Sequence, residues 1–238
     1  MLAPSATPVS TISMLRPPLR IAHRGMPRRE RENTLPSFAA ALAAGAQGIE
    51  LDVHASADGI VVVHHDPITS AGAEIATTLW SELAGAHGPS IGTTNIPTLA
   101  AVCDLVADRA ELFVEIKGEG IEEAVTRVLD GRRGTFAIHS FDHATIGRLA
   151  RARTPYRLGL LFDESVDGAV ELMAEYGAAD VWPHRSLVDR LLVERVQRSG
   201  GRVIAWTVNS TSEARRLADY GVDGICTDDV TLLDALNS

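Results

Sequence analysis

The alternation of β-rich and helix-patterned segments is the feature that most restricts the fold of this chain. The sequence predicts strands at 20–23, 48–53, 60–65, 112–117, 135–139, 156–161, 180–183, 202–208 and 224–227. It predicts helices at 34–44, 98–108, 120–130, 142–152, 166–176, 187–199, 211–219 and 229–236. Strands separated by helices form βαβ units, and such units build a parallel sheet.

One predicted strand lies outside this pattern. No helix fits before 60–65, and the Asp58-Gly59 pair that precedes it is a strong signal for a β-hairpin. With 60–65 as the return arm of that hairpin, eight βα units remain, which is the number that closes a (βα)8 TIM barrel in the α/β class. A two-residue turn at Asp58-Gly59 would set Asp52 opposite His65 on one face of the hairpin.

Length and composition predict one globular domain. Of the 238 residues, 45% are hydrophobic and 22% are charged, which is ordinary for a globular protein. We expect a disordered or loosely packed tail at 1–17 and a single (βα)8 domain at 18–238, in which 54–97 form the hairpin and a short insertion. The net charge of −9 argues against general binding to nucleic acid or to anionic membranes.

The location and the redox state follow from what the sequence lacks. No segment has the pattern of a secretion signal or of a membrane span. Cys103 and Cys226 are far apart and have no metal-binding spacing, so we expect both to be reduced core residues. These features predict a cytoplasmic protein without stable membrane insertion, and they leave the oligomeric state open.

Acidic side chains occur where the barrel strands should end. Glu50 and Asp52 are two residues apart, as are Glu115 and Lys117, so each pair lies on one face of its strand. Barrel interiors normally hold Val, Ile and Leu, and charges there are costly unless they are paired or bound to metal. Three carboxylates on neighbouring strands predict a site for one divalent cation, Mg²⁺ or Ca²⁺. Zinc fits less well, because it prefers nitrogen and sulfur ligands.

Two histidines and two positively charged side chains complete the predicted site. His23 and His65 suit proton transfer near neutral pH, and Arg24 with Lys117 supplies positive charge for a phosphate. Each residue alone also has a structural explanation, such as a solvated acid at a strand end, an internal ion pair or a core histidine. Their occurrence together at one barrel rim favours a catalytic site.

The order of motifs resembles that of a known family. The segments are AHRG, ENTLPSFAAALAAGAQGIELDVHASADGIVVVHHD, IPTL, VEIK, HSFD, AWTVN and GVDGICTD, and they span about residues 20 to 229. Together they resemble the glycerophosphodiester phosphodiesterase family. The resemblance implies a metal-dependent phosphoric diester hydrolase on a (βα)8 barrel, which takes a small-molecule glycerophosphodiester and yields glycerol 3-phosphate and an alcohol.

The resemblance also implies residue roles. It makes His23 and His65 the catalytic acid–base pair, Glu50, Asp52 and Glu115 the metal ligands, and Arg24 and Lys117 the phosphate contacts. Phe141 and Trp206 match motif positions near strand ends, where either could line a glycerol pocket or belong to the core. The sequence leaves open which histidine is the acid, and whether the nucleophile is water or the substrate's own glycerol hydroxyl.

Three other functions are compatible with parts of the pattern. A lysophospholipid-specific or other phosphodiester hydrolase of the same fold would predict an apolar patch beside the mouth of the site. A sugar-phosphate isomerase or aldolase barrel could use similar carboxylates, but it does not require the second histidine. A barrel that binds phosphodiesters without turnover would be expected to have lost a ligand or a histidine, and none is missing.

Overall fold

The sheet closes into a ring of eight parallel strands with a ninth strand outside it. The computed structural model describes residues 16–85 and 96–236. Its strands are β1 Leu19–His23, β2 Gly48–Ala55, β3 Val61–Val63, β4 Glu111–Ile116, β5 Thr135–Ser140, β6 Arg157–Phe162, β7 Asp180–Pro183, β8 Arg202–Ala205 and β9 Gly224–Thr227. Because β1 pairs with both β9 and β2, the ring is closed, and β3 pairs only with β2. The predicted TIM barrel is confirmed.

In the described part of the chain, seven α-helices follow ring strands on the outside of the barrel, and an eighth, the second in chain order, lies in the insertion after β3. They are α1 Leu35–Ala43, α2 Trp80–Gly85, α3 Leu99–Val106, α4 Glu122–Leu129, α5 His143–Arg151, α6 Ala169–Tyr176, α7 Arg190–Arg198 and α8 Thr211–Tyr220. Thr34 and Asp142, of residue types that favour this position, cap the amino ends of α1 and α5 with their side chains. The helix expected at 229–236 is instead a 3₁₀ helix over Val230–Leu236, so the predicted helix type is wrong there.

Alternate residues of the ring strands fill the barrel interior. The interior cluster takes one residue from each of seven strands: Ile21, Phe113, Ala137, Leu161, Trp182, Ile204 and Cys226. The eighth strand contributes Gly48, where a Cβ would lie 2.7 Å from the Phe113 ring, so the missing side chain makes room for that ring. Both cysteines are buried and free, as predicted. The opposite strand faces pack against the helices in a larger apolar cluster.

An ionic cluster closes the barrel at the end where its strands begin. Arg202 contacts both carboxylate oxygens of Asp180, at 2.7 and 2.8 Å, and both oxygens of Glu111, at 3.1 and 2.9 Å. The side chain of Asp180 is fully buried. Arg157, which is 41% exposed, lies 3.4 Å from the same acid. The charges at this end are therefore paired with one another.

The hairpin after β2 has a different register from the predicted one. Ala55 pairs with Val61, and Ser56 accepts from Gly59 and donates to Ile60 through its backbone, so the turn has three residues. Gly59 has φ +79°, which a three-residue hairpin turn favours. The backbone of Asp52 therefore faces His64, and the prediction that Asp52 lies opposite His65 is wrong. His65 lies beyond β3, which ends at Val63.

The insertion after the hairpin forms a small core of its own. Its buried residues are Val62, Ile75, Leu83 and Ile96. Most of the expected tail at 1–17 lies outside the described residues, which begin at Arg16. In the part of the chain that the structure describes, no helix has the length and apolar character needed to cross a membrane.

Candidate active site

At the carboxyl ends of the strands, the inward-facing positions that adjoin the apolar interior of the barrel hold polar residues. The strand ladders pair His23 with Glu50, Asp52 with Glu115, and Glu115 with His139. Along each strand, inward-facing positions recur every two residues, and these polar ones come after those of the apolar interior. Their side chains therefore converge at the carboxyl ends of the strands. In (βα)8 enzymes this end carries the active site.

Asp52 is a fully buried carboxylate surrounded by cations. Its Oδ2 lies 3.1 Å from Arg24 Nε and accepts from Asn33 Nδ2 at 2.8 Å, and its Oδ1 lies 3.5 Å from Lys117 Nζ. Burial opposes the charged form, but the charges of Arg24 and Lys117 and the Asn33 hydrogen bond hold the pKa of Asp52 below its usual range. Asp52 is therefore an anion in this site.

Glu50, Glu115 and His139 form a group that could hold a metal ion. One ligand atom from each lies within 4.8 Å of the others, and all three residues are buried. Burial, followed by the charges of Asp52 and Glu50, raises the pKa of Glu115 to about 7, although Lys117 at 2.8 Å opposes the shift. Neither ring nitrogen of His139 has a hydrogen-bond partner, nor does Asp52 Oδ1. Buried carboxylates and unpartnered donor atoms fit a divalent cation.

The turn after β1 holds Arg24 in an uncommon backbone conformation. Arg24 has φ +55° and Gly25 has φ +89°. A Cβ on Gly25 would lie 2.3 Å from Ser37 Oγ, so the turn requires glycine at this position. The Arg24 amide donates to Glu50 Oε2 at 3.2 Å, while its side chain reaches Asp52 and Glu32. Strain of this kind at a cluster of polar groups is typical of functional sites.

His23 is oriented by an acid that directly follows the last strand of the ring. Its Nδ1 lies 2.7 Å from Asp228 Oδ1. Asp228 Oδ2 in turn accepts from Asn209 Nδ2 at 2.6 Å, which fixes the carboxylate. Burial lowers the pKa of His23, but the Asp228 hydrogen bond and the charge of Glu50 outweigh it, so the pKa is raised. With Nδ1 paired to the acid, Nε2 is the nitrogen free to act in the site.

His65 has a similar but more exposed partner. Its Nδ1 lies 2.7 Å from Asp66 Oδ1, and the side chain of Asp66 is 67% exposed. The backbone carbonyl of His65 contacts His54 Nε2 at 3.1 Å. Burial lowers the pKa of His54, which keeps that ring neutral. His54 therefore supports the loop that carries His65.

Two aromatic rings form one wall of the site. Phe141 and Trp206 meet edge to face with ring centroids 5.3 Å apart. Lys117 Nζ lies 5.8 Å from the centroid of Phe141. Trp206 Nε1 donates to the carbonyl of Trp182 at 3.0 Å, which fixes its ring. This wall gives the site an apolar side next to its cations.

One cavity of about 150 Å³ unites almost all of the predicted site residues. Those that line it are His23, Arg24, Glu50, His65, Glu115, Lys117, Phe141 and Trp206. Asp52 lies behind it, in contact with Arg24 and Lys117. Sequence reasoning missed His139, which also lines the cavity, and the partners Asp228, Asn209 and Asn33. The sequence signal that could have identified His139 is its inward position near the end of β5, two residues before Phe141.

Comparisons with known proteins find relatives over most of the chain. The family model described as the glycerophosphoryl diester phosphodiesterase family matches residues 23–232. A glycerophosphodiester phosphodiesterase of Caldanaerobacter subterraneus is 31% identical over 228 residues, which cover 89% of this chain and 94% of the relative. The match therefore extends over nearly the whole of both proteins.

Solved structures give the same result. A phosphodiesterase of Oleispira antarctica, in complex with the product sn-glycerol-3-phosphate, is similar with a TM-score of 0.83 and 27% identity, covering 92% of this chain and 96% of that one. A glycerophosphodiester phosphodiesterase of Thermotoga maritima has a TM-score of 0.77 and 29% identity, with 92% and 98% covered. The likeness extends over most of each chain.

Proposed function

Because the chain belongs to the glycerophosphoryl diester phosphodiesterase family, which hydrolyses glycerophosphodiesters, we propose that this barrel rim releases glycerol 3-phosphate and a free alcohol from such diesters. The observation that carries the proposal is the single cavity that holds the acids, the cations and both histidines. The product in the similar Oleispira antarctica structure is consistent with glycerol 3-phosphate as the product here.

The metal in this proposal is one Mg²⁺ or Ca²⁺, held by Glu50, Asp52 and Glu115. Hard cations of this kind prefer carboxylate oxygen. The three acids are buried, with exposed fractions of 3%, 0% and 7%, and such a concentration of negative charge is costly without added positive charge. A bound cation would neutralise the negative charge that develops on the phosphate oxygens in the transition state.

Arg24 and Lys117 bind the phosphate from the protein side. Each lies at the cavity and each has a side chain only about one-fifth exposed or less, at 17% and 20%. Their attraction to a phosphate is therefore weakly screened by water. Nearby acids raise the pKa of Lys117 despite its burial, so it carries its charge throughout the neutral range. The two cations orient the diester between the histidines.

His23 acts as the general acid and His65 as the general base. The Asp228 hydrogen bond raises the pKa of His23 and so favours the protonated ring, which can pass its Nε2 proton to the departing alkoxide. His65 takes the proton from the attacking oxygen, which belongs either to water or to the substrate's glycerol hydroxyl. Asp228 stabilises the imidazolium form of His23, and Asp66 Oδ1 orients His65 through its contact with Nδ1 at 2.7 Å. With water as the nucleophile, the phosphorus–oxygen bond to the alcohol breaks as a bond to the water oxygen forms. With the glycerol hydroxyl, the alcohol leaves first and a cyclic phosphate forms, which water then opens to glycerol 3-phosphate.

The surroundings of His23 favour a polar alcohol. A cavity of about 320 Å³ beside His23 is lined by Arg185, Thr207, Asn209, Ser210, Glu213 and Asp228. None of these side chains suits an acyl chain. Among the described residues that line the cavities at the mouth, the exposed large apolar side chains are Phe141 and Ile68, on different cavities. This lining favours a water-soluble headgroup over a lysophospholipid.

The proposal also includes the cellular location, the kind of partner and the extent of the domain. Two free, buried cysteines suit a reducing compartment and support the cytoplasmic location. The net charge of −9 supports a small-molecule partner rather than nucleic acid. Residues 18–238 then act as one phosphodiesterase domain.

The test is release of glycerol 3-phosphate from glycerophosphocholine by metal-stripped protein, with Mg²⁺ or Ca²⁺ added back. We expect release only after addition of a cation. The double variant Glu50→Gln, Glu115→Gln should lose it, because each substitution removes a ligand charge. The matched control is Glu122→Gln with Glu123→Gln on α4, outside the site. Folded protein that releases no glycerol 3-phosphate from any headgroup in a panel, with either cation, would contradict the proposal.

A further inference from the structure

His139 has no role in the proposed reaction, yet its position is costly. It is 1% exposed at the carboxyl end of β5, and neither ring nitrogen has a hydrogen-bond partner. A buried polar group without a partner destabilises the fold, because it loses its hydrogen bonds to water and gains none in return. An apolar residue would continue the interior packing without that cost, so packing alone does not account for a histidine.

The ring is held firmly in one place. It stacks on Phe113 with centroids 6.4 Å apart and meets Trp182 edge to face at 4.4 Å. Gly159 on the next strand leaves space beside it, since a Cβ there would lie 3.1 Å from His139 Cβ. The side chain is therefore preorganised toward the cavity, as a ligand needs to be.

The nearest polar atom does not satisfy the ring. His139 Nε2 lies 3.7 Å from Glu50 Oε1, which is beyond hydrogen-bond distance. Two donor atoms at this separation can both bind an ion between them, since metal–nitrogen and metal–oxygen bonds are about 2.0–2.2 Å for ions such as Zn²⁺. Glu115 has an oxygen within the same small group.

We propose that His139 Nε2 is a direct ligand of the divalent cation, in addition to the three carboxylates of the proposed site, of which Glu50 and Glu115 belong to the same small group. This inference rests on the proposed function for the presence of that cation. A nitrogen donor favours first-row transition ions over Mg²⁺ and Ca²⁺, which prefer oxygen. His139 therefore adds affinity for Mn²⁺ and, more strongly, for Co²⁺, while the carboxylates still accept the Mg²⁺ or Ca²⁺ of the proposed reaction.

The test measures metal binding without substrate, so it is separate from the phosphodiesterase assay. Metal-stripped wild-type protein is loaded with Mn²⁺ and its pulsed EPR spectrum is recorded with ordinary and with ¹⁵N-labelled histidine. We expect coupling to a histidine nitrogen that changes with the isotope and is lost in His139→Gln. The control is His143→Gln, since His143 Nε2 already contacts the carbonyl of Leu161 on the other side of the sheet.

Calorimetry gives the second measurement. We expect His139→Gln to raise the Kd for Co²⁺ at least about 10-fold, with a much smaller change for Mg²⁺. Wild-type protein that binds Mn²⁺ without nitrogen coupling overturns the inference, even if the variant does not fold. Coupling that persists in folded His139→Gln, or unchanged Co²⁺ binding there, also overturns it. Loss of phosphodiesterase activity with intact nitrogen coupling would count against the proposed function alone.

Discussion

His23 Nδ1 and Asp228 Oδ1 lie 2.7 Å apart, although 205 positions separate the two residues in the sequence. The contact forms because β9 closes the ring against β1. Asp228 is held on its other oxygen by Asn209. The interaction sets which nitrogen of His23 carries its proton toward the site, and it makes the protonated form more stable.

Replacing Asp228 with Asn should shift the pH profile of kcat/KM. Asp228 raises the pKa of His23, so its loss lowers that pKa. An acid is active while protonated, and activity falls as pH rises through its pKa. We therefore expect the alkaline limb of the profile to move to lower pH. A shift of the acidic limb instead would make His23 the base.

The acid role of His23 can be tested with the leaving group. His23→Ala should lower turnover of glycerophosphocholine by about 10²–10⁴-fold, the usual contribution of general acid–base catalysis. Much of that loss should disappear with a p-nitrophenyl diester, because its phenolate leaves without a proton. His65→Ala should be slow on both substrates. His64→Ala is the control and should resemble the wild type, because the ring of His64 contacts the carbonyl of Asp66 and does not line the cavity that holds the acids and cations.

The turn after β1 gives a matched pair of glycine substitutions. Gly25 and Gly45 both have positive φ, at +89° and +81°, but only Gly25 is crowded, by Ser37. Gly45→Ala should cost about 1–2 kcal/mol of unfolding free energy from the backbone conformation alone. Gly25→Ala should cost more and should lower kcat, because the shift displaces Arg24. Denaturant unfolding and steady-state kinetics of both variants provide the measurement. Equal effects of the two substitutions would contradict the role assigned to this turn.

The barrel and most of its site could be predicted because the signals are local. Strand and helix periodicities are written in neighbouring residues, and removing one hairpin strand left the number that closes a ring. The inward position of Glu50, Asp52, Glu115 and Lys117 followed from a spacing of two. These predictions needed no knowledge of distant contacts.

The remaining features depend on contacts that local patterns do not carry. The hairpin register depends on Ser56, whose Oγ accepts from the Ile60 amide and so fits a three-residue turn. Asp228 meets His23 only because the ring closes. His139 resembles an ordinary core histidine until the structure reveals that its nitrogens have no partners.

The ionic cluster at the opposite end of the barrel should stabilise the fold without taking part in catalysis. Arg202→Met leaves Asp180 and Glu111 without their shared partner, and breaking a buried ion pair costs about 3–5 kcal/mol. Arg157→Met is the control, because this exposed arginine lies 3.4 Å from Asp180. Its replacement should lower the free energy of unfolding by no more than about 1 kcal/mol. Urea unfolding should separate the two variants, while kcat of the folded fraction stays at the wild-type value in both. A loss of kcat in folded Arg202→Met would mean that this end of the barrel is coupled to the active rim.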